Sequence, residues 1–257
     1  MAGLEPLLRF WRAIDATFER VAPAWWGAVV TDTRFPDIWD LNYARVETTQ
    51  PDLSATEVES ELLPATLEAG APNVHIVVFH PEELTALVTE LSTRGDRVKW
   101  DAVMMRTVRP ETLGDDPRVE EVLDFDDAFW IRFRRSLGLF DVTEATVVDQ
   151  LVRLERDHFL GTGKRWFTLR DGGEMAAFAS LHVLAGVGYL DHVVTFPEAR
   201  GRGYASALVR RAAAESRASG AEHLLLLAEP DGKARTLYQR LGFATVGHLA
   251  SSLRSRP

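Results

Sequence analysis

The chain has 257 residues, 46% of them hydrophobic, with 38 Asp and Glu against 29 Lys and Arg for a net charge of −9. That length and apolar content suit one large or two modest packed domains, and the acidic balance argues against nucleic acid or an anionic membrane as the main partner. With no cysteine, disulfides, thiolate zinc sites and a cysteine nucleophile are excluded, and no metal is expected.

Residues 1–12 set Glu5, Arg9 and Arg12 among their apolar side chains, so no signal peptide is read there. No uncharged apolar run approaches the roughly 18 residues of a membrane span, and the expectation is a soluble, cytoplasmic protein. A strand is expected over 42–47 and a helix over 55–69, opened by the capping box Ser54-x-x-Glu57 and closed by Gly70. Strand 74–79, helix 82–94 ending at Gly95, and strand 97–106 follow. Trp11, Trp25, Trp26 and Trp39 enrich this half in tryptophan and read as packing residues or as the lining of a cleft. Pro110, Gly114 and Pro117 with their acidic neighbours read as a linker.

In the second half, helices are expected over 125–139 and 143–160, with Phe129, Trp130, Phe133, Phe140 and Phe159 as core aromatics. Strands 164–170 and 174–184 flank the hairpin turn Asp171-Gly172-Gly173. Strand 188–195, helix 203–219, strand 222–228, helix 232–241 and strand 244–248 complete the order. It repeats that of the first half: Gly70 recurs as Gly220 and Gly95 as Gly242, and Asn42-Tyr43 and Gly188-Tyr189 open corresponding strands.

Between strand and helix stands Arg200-Gly201-Arg202-Gly203-Tyr204-Ala205. A glycine-rich turn that opens a helix offers unpaired N–H groups and the positive end of the helix dipole, a setting for a diphosphate. The segment is not G-x-x-x-x-G-K-[ST]. Nor is it a dinucleotide fingerprint, since Phe196 to Arg200 intervene after the strand and Ser206 stands at the third glycine position. The matching stretch of the first half, Pro51-Asp52-Leu53-Ser54-Ala55-Thr56, has no glycine or arginine and carries Asp52.

With its neighbours, the turn resembles the acetyl-CoA motif [QR]-x-x-G-x-[GA] of the GNAT superfamily of acyltransferases. The resemblance extends to Val193-Val194-Thr195-Phe196-Pro197, where the family has V-x-P, and to Leu237-Tyr238-Gln239-Arg240-Leu241-Gly242-Phe243, where it has L-Y-x-x-x-G-F. It covers about 118–249. It implies an α/β fold of α+β type: two tandem GNAT-like domains, 1–110 degenerate and 111–257 binding acetyl-CoA, each a mixed, mainly antiparallel sheet flanked by helices. It also implies an N-acetyltransferase that passes an acetyl group from acetyl-CoA to a primary amine.

On this resemblance Val193, Val194 and Thr195 meet the pantetheine arm, and Arg200, Gly201, Arg202, Gly203, Tyr204, Ala205 and Ser206 meet the diphosphate. Arg235, Tyr238 and Asp231 complete the cofactor contacts, although the family often has Asn where Asp231 stands, leaving Asp231 as a contact or as an N-cap. Tyr238 is implied as the general acid for the leaving thiolate. The base is open between Asp191 and His182, with His192, Glu155, Asp157 and His158 also weighed; strand alternation places Tyr189, Asp191 and Val193 on one face. A small-molecule amine is the expected acceptor. A protein lysine or N-terminal amine, and a non-catalytic acyl-CoA sensor, are the alternatives. Monomer and homodimer are both open.

Overall fold

The computed structural model describes residues 3–108 and 116–256. In chain order the first elements are α1 (Glu5–Asp15), β1 (Arg20–Ala24), β2 (Gly27–Thr31), β3 (Tyr43–Val46), α2 (Ala55–Glu68), β4 (Asn73–Val78), α3 (Thr85–Thr93) and β5 (Arg97–Thr107). Then come β6 (Val119–Glu121), α4 (Asp127–Leu137), α5 (Ala145–Leu154), β7 (Arg165–Asp171), β8 (Glu174–Leu184), β9 (Val187–Thr195), α6 (Tyr204–Ala218), β10 (His223–Ala228), α7 (Lys233–Arg240) and β11 (Ala244–Ser255). This is the expected mixed α/β fold of sheet and flanking helices. α1, the β1–β2 hairpin and β6 were not anticipated, and β11 runs well past its expected end at 248. Most of the expected linker, residues 109–115, lies outside the described residues.

The chain forms two compact units, Met1–Val103 with Ala228–Asp231 and Thr245–Pro257, and Met104–Leu227 with Gly232–Ala244. The division 1–110 and 111–257 therefore does not follow the packing: two late segments return to the first unit.

In the first unit the strands run β1-β2-β3-β4-β11. β3 and β4 are parallel, whereas β11 is antiparallel to β4 from Ala250↔Val78 to Ser255↔Asn73. Trp26, Leu62, Ile76 and Leu87 belong to its core. In the second unit the order is β10-β9-β8-β7-β6, with the end of β5 beside β10. Phe129 and Phe133 of α4 pack with Trp166, Phe178, Val194 and Phe196.

The repeat is visible in how helices end. α2, α3, α6 and α7 are each followed by a left-handed glycine, Gly70, Gly95, Gly220 and Gly242. Past each glycine an N–H returns to the last turn, as in Ala71 to Thr66 (2.9 Å) and Ala221 to Ser216 (3.0 Å). Such closures satisfy carbonyls that the helix leaves unpaired, and glycine takes the left-handed conformation at little cost.

Candidate acyl-donor and acceptor site

The site is built where two neighbouring strands part. β9 and β10 pair in parallel from Val187↔His223 to Tyr189↔Leu225, where their register ends. β9 stays with β8 as far as Thr195↔Ala177. Its outer edge from residue 190 onward thus faces the gap left by β10. In the first unit the corresponding strands close: Ala44↔Ile76 to Val46↔Val78 pair, and Phe79 N–H donates to Val46 at 2.9 Å.

β9 carries a bulge here. Phe178 pairs with Val194 and Ser180 with Asp191, so His192 and Val193 share the space opposite Ala179, with His192 at φ 53°. Strict alternation fails at such a bulge, which corrects the expectation that Asp191 and Val193 share a face. His192 stacks on Phe178 (centroids 5.7 Å, 8°), and its Nε2 lies 2.7 Å from Ser136 Oγ. Thr195 Oγ1 is buried and has no hydrogen-bond partner among the described residues.

β9 leads to the glycine turn and α6. Gly201 (φ 80°) and Gly203 (φ 79°) are left-handed, and a Cβ at either would meet nothing within 4 Å. Conformation, not crowding, calls for glycine there. Gly203 is the N-cap of α6, and among the described residues the helix has no side-chain cap at that position. The first-turn N–H groups of Tyr204, Ala205 and Ser206 stand at the positive end of a 15-residue helix and have no N-cap side chain among the described residues. α6 lies close on β9: a Cβ on Gly188 would come within 2.1 Å of Ser216 Oγ. The Tyr204 side chain is buried, with the Arg118 guanidinium over its ring at 5.6 Å, so this residue presents only its N–H at the helix end. Arg200 Nε donates to Thr195 O (3.2 Å), tying turn to strand, and Arg202 is ion-paired with Asp171.

The α2 terminus of the first unit is filled from within. Ser54 Oγ accepts from Glu57 N–H at 3.3 Å, Glu57 accepts from Ser54 N–H at 3.0 Å, and Glu90 accepts from Ala55 N–H at 2.8 Å. Two carboxylates stand where an anionic ligand would bind.

Tyr238 on α7 is buried against Phe243, ring centroids 6.0 Å apart. Burial and the nearby charge of Asp191 push its hydroxyl up to about 12, so the phenol stays protonated at neutral pH. Tyr238 and Asp191 are thus brought together. Burial opposes ionisation of Asp191, but Lys164, His192 and the hydrogen bonds to its carboxylate hold it below the usual aspartate value. Lys164 Nζ lies 2.9 Å from Glu155 and 3.5 Å from Asp191.

His182 is buried, with Nε2 3.0 Å from Thr162 O. Burial lowers both His182 and His192 to about 4. Both are therefore neutral at pH 7. For His182 the folded value lies below the ordinary 6.5 or so, so its contribution to stability is complete above that pH. It is lost as pH falls from about 6.5 to about 4, up to about 3 kcal/mol. Melting temperature should fall across this window, and His182→Gln should make the fall shallower; parallel curves would contradict the buried neutral histidine.

Three further expectations are corrected. The N-cap of α7 is Gly232, with no side-chain cap, so Asp231 is not the N-cap. Phe140 is not core: it is 51% exposed and meets His192 edge-on at 5.2 Å. Glu155, weighed as a base, is buried in the ion pair with Lys164, with Trp166 Nε1 donating to its other oxygen at 2.5 Å. Sequence reasoning gave Lys164 no role, since a lysine at a strand start carries no local signal; Asp157 pairs with its exposed neighbour Arg156.

Residues 125–243 match the profile of the Acetyltransferase (GNAT) family. A search of curated proteins finds no match. Among solved structures, the fold is similar to a GCN5-related N-acetyltransferase from Kribbella flavida, 16% identical, TM-score 0.65, covering 100% of this chain and 98% of that one. It is also similar to a protein of unknown function from Staphylococcus epidermidis, 11% identical, TM-score 0.64, covering 90% and 91%. A tandem GNAT protein from the clavulanic acid biosynthesis pathway is 12% identical, TM-score 0.51, covering 84% and 76%. At these identities the likeness is one of fold. The matched residues, a little under half of the chain, span the parted strands and the glycine turn, so residues 125–243 are similar to a GNAT acetyltransferase domain.

Proposed function

We propose that the chain is a tandem GNAT-like N-acetyltransferase whose second unit alone binds acetyl-CoA and acetylates a primary amine on a small molecule. The observation that carries this reading is the contrast between two helix ends. That of α6 has no side-chain cap among the described residues, whereas that of α2 is closed by its capping box and by Glu90.

The diphosphate binds the N–H groups of 203–206, with Arg200 and Arg202 beside them. The pantetheine arm takes the place that β10 leaves along β9, pairing with Val193 to Thr195; the orphaned Thr195 hydroxyl faces the same need for a partner. The contact of Arg235 with the cofactor belongs to the same proposal; Asp231 falls in the first unit.

In the reaction the amine nitrogen bonds to the thioester carbonyl carbon and the carbon–sulfur bond breaks. The proton leaving the ammonium passes through solvent or a nearby acceptor. Asp191, ionised at neutral pH and 48% exposed at its side chain, receives the incoming ammonium. An aspartate held below its ordinary value is a better ion partner than base. Tyr238 acts at the leaving sulfur. An ordinary thiol ionises near 8.5, so complete transfer from a phenol at about 12 is uphill. The gain comes from its hydrogen bond to the thiolate as charge develops.

Tyr238→Phe should lower kcat by about 10²–10³-fold while leaving acetyl-CoA affinity nearly unchanged. Thiol release over an amine library, with acetyl-CoA titrated calorimetrically, measures both. Unchanged kcat with a lower melting temperature would make Tyr238 a packing residue.

A further inference from the structure

We infer that Lys164, anchored by Glu155, is a positioning residue for Asp191, fixing the half-exposed carboxylate that meets the acceptor's ammonium. The inference rests on the acetyl-transfer reading above.

The Lys164 side chain is almost fully buried, with its ammonium 4.7 Å from the Phe159 ring centroid and 5.4 Å from that of Trp166. Its near partner is the buried Glu155 at 2.9 Å; Asp191 Oδ2 is farther, at 3.5 Å. Asp191 Oδ1 accepts from the His192 N–H at 2.8 Å. Both carboxylate oxygens are therefore held.

Counted together, Glu155, Lys164 and Asp191 carry one net negative charge. Glu155 anchors the ammonium from inside, and Asp191 is the member of the three that water reaches. An exposed acceptor cation meets an anion held in one orientation.

The groups that face Asp191 are Lys164 just before β7, His182 on β8, His192 on its own strand and Tyr238 on α7. Both histidines and the tyrosine are uncharged at pH 7, since the former titrate near 4 and the latter near 12. Lys164 is then the cation that sets the state of Asp191. A buried ion pair is not in general a source of stability, because apolar residues of the same size often replace it at no loss. Its effect here lies in orientation and charge.

The test uses the full chain and three variants. Lys164→Met alone would strand Glu155 as a buried, unpaired carboxylate, so the informative variant is Glu155→Gln/Lys164→Met. Lys164→Arg is the conservative one, and Asp191→Asn assigns the resonance. Carbon-13 titration of labelled aspartate should show the Asp191 midpoint rising by about 1–3 pH units in the double variant, as on losing a neighbouring cation, and returning toward native in Lys164→Arg. With n-butylamine as the acceptor probe, KM should rise about tenfold, as for loss of one well-placed charged contact, while acetyl-CoA affinity stays the same. An Asp191 midpoint unmoved in the double variant would overturn the inference, as would a KM unmoved despite a shifted midpoint. Absence of turnover on any amine would instead count against acetyl transfer, and the titration would still judge the hold of Lys164 on Asp191.

Discussion

Gly203→Asp should weaken acetyl-CoA binding about 100-fold while leaving the fold intact. Gly203 is left-handed at φ 79° and a Cβ there would meet nothing within 4 Å. Aspartate is among the few non-glycine residues that tolerate this conformation, and it is a good N-cap. Its carboxylate would take up the free N–H groups of α6 and oppose the diphosphate. At about 5 Å and an effective dielectric of about 20, one such charge pair costs on the order of 3 kcal/mol, about a 100-fold loss of affinity. Gly203→Asn, with the same shape and no charge, should lose far less. Calorimetric titration with acetyl-CoA and a melting curve separate the cases. Equal losses in Asp and Asn would show that shape, not charge, governs the site.

A second large effect should follow from ending the chain after Ala244. The lost residues form nearly all of β11, whose Ala250, Ser252 and Arg254 pair with β4 at Val78, Ile76 and Val74. Leu249 and Ala250 are buried. Buried Asp96 would lose the Ser252 hydroxyl and the Arg254 guanidinium, the latter 3.1 Å away. Removing a central strand's partner, its buried side chains and the counter-ion of a buried carboxylate together should exceed the 5–15 kcal/mol or so by which domains are stable. Amide exchange should lose protection along β3 and β4. Retained protection there would mean that the first 110 residues fold without the chain's last strand.

Much of this was legible in the sequence because it is written locally. Ser54 and Glu57 announce α2, left-handed glycines punctuate four helices, and the turn at 200–205 names its own chemistry. The misses were of another kind. β1 contains Pro23, tolerated on an edge strand, and is separated from β2 by Trp25 and Trp26, which read as packing rather than as a hairpin turn. β11 was cut short at 248 because Ser251 and Ser252 lower its apolar signal, although Ser252 is buried on Asp96. Its return to the first unit is a tertiary choice with no local mark. The bulge at His192 broke the alternation used to face Asp191, because one extra residue in a strand reverses every side chain beyond it. Lys164 and Glu155 meet only after the π turn at Glu155–Phe159, and nine residues of separation gave no pattern to read.

The most direct test is a structure of the full chain soaked with coenzyme A, paired with calorimetric stoichiometry. One molecule per chain is expected, with its diphosphate on the N–H groups of 203–206 and its pantetheine arm along Val193 to Thr195. Coenzyme A at Ser54 and Glu57, or two molecules per chain, would contradict the assignment of acyl-donor binding to the second unit alone.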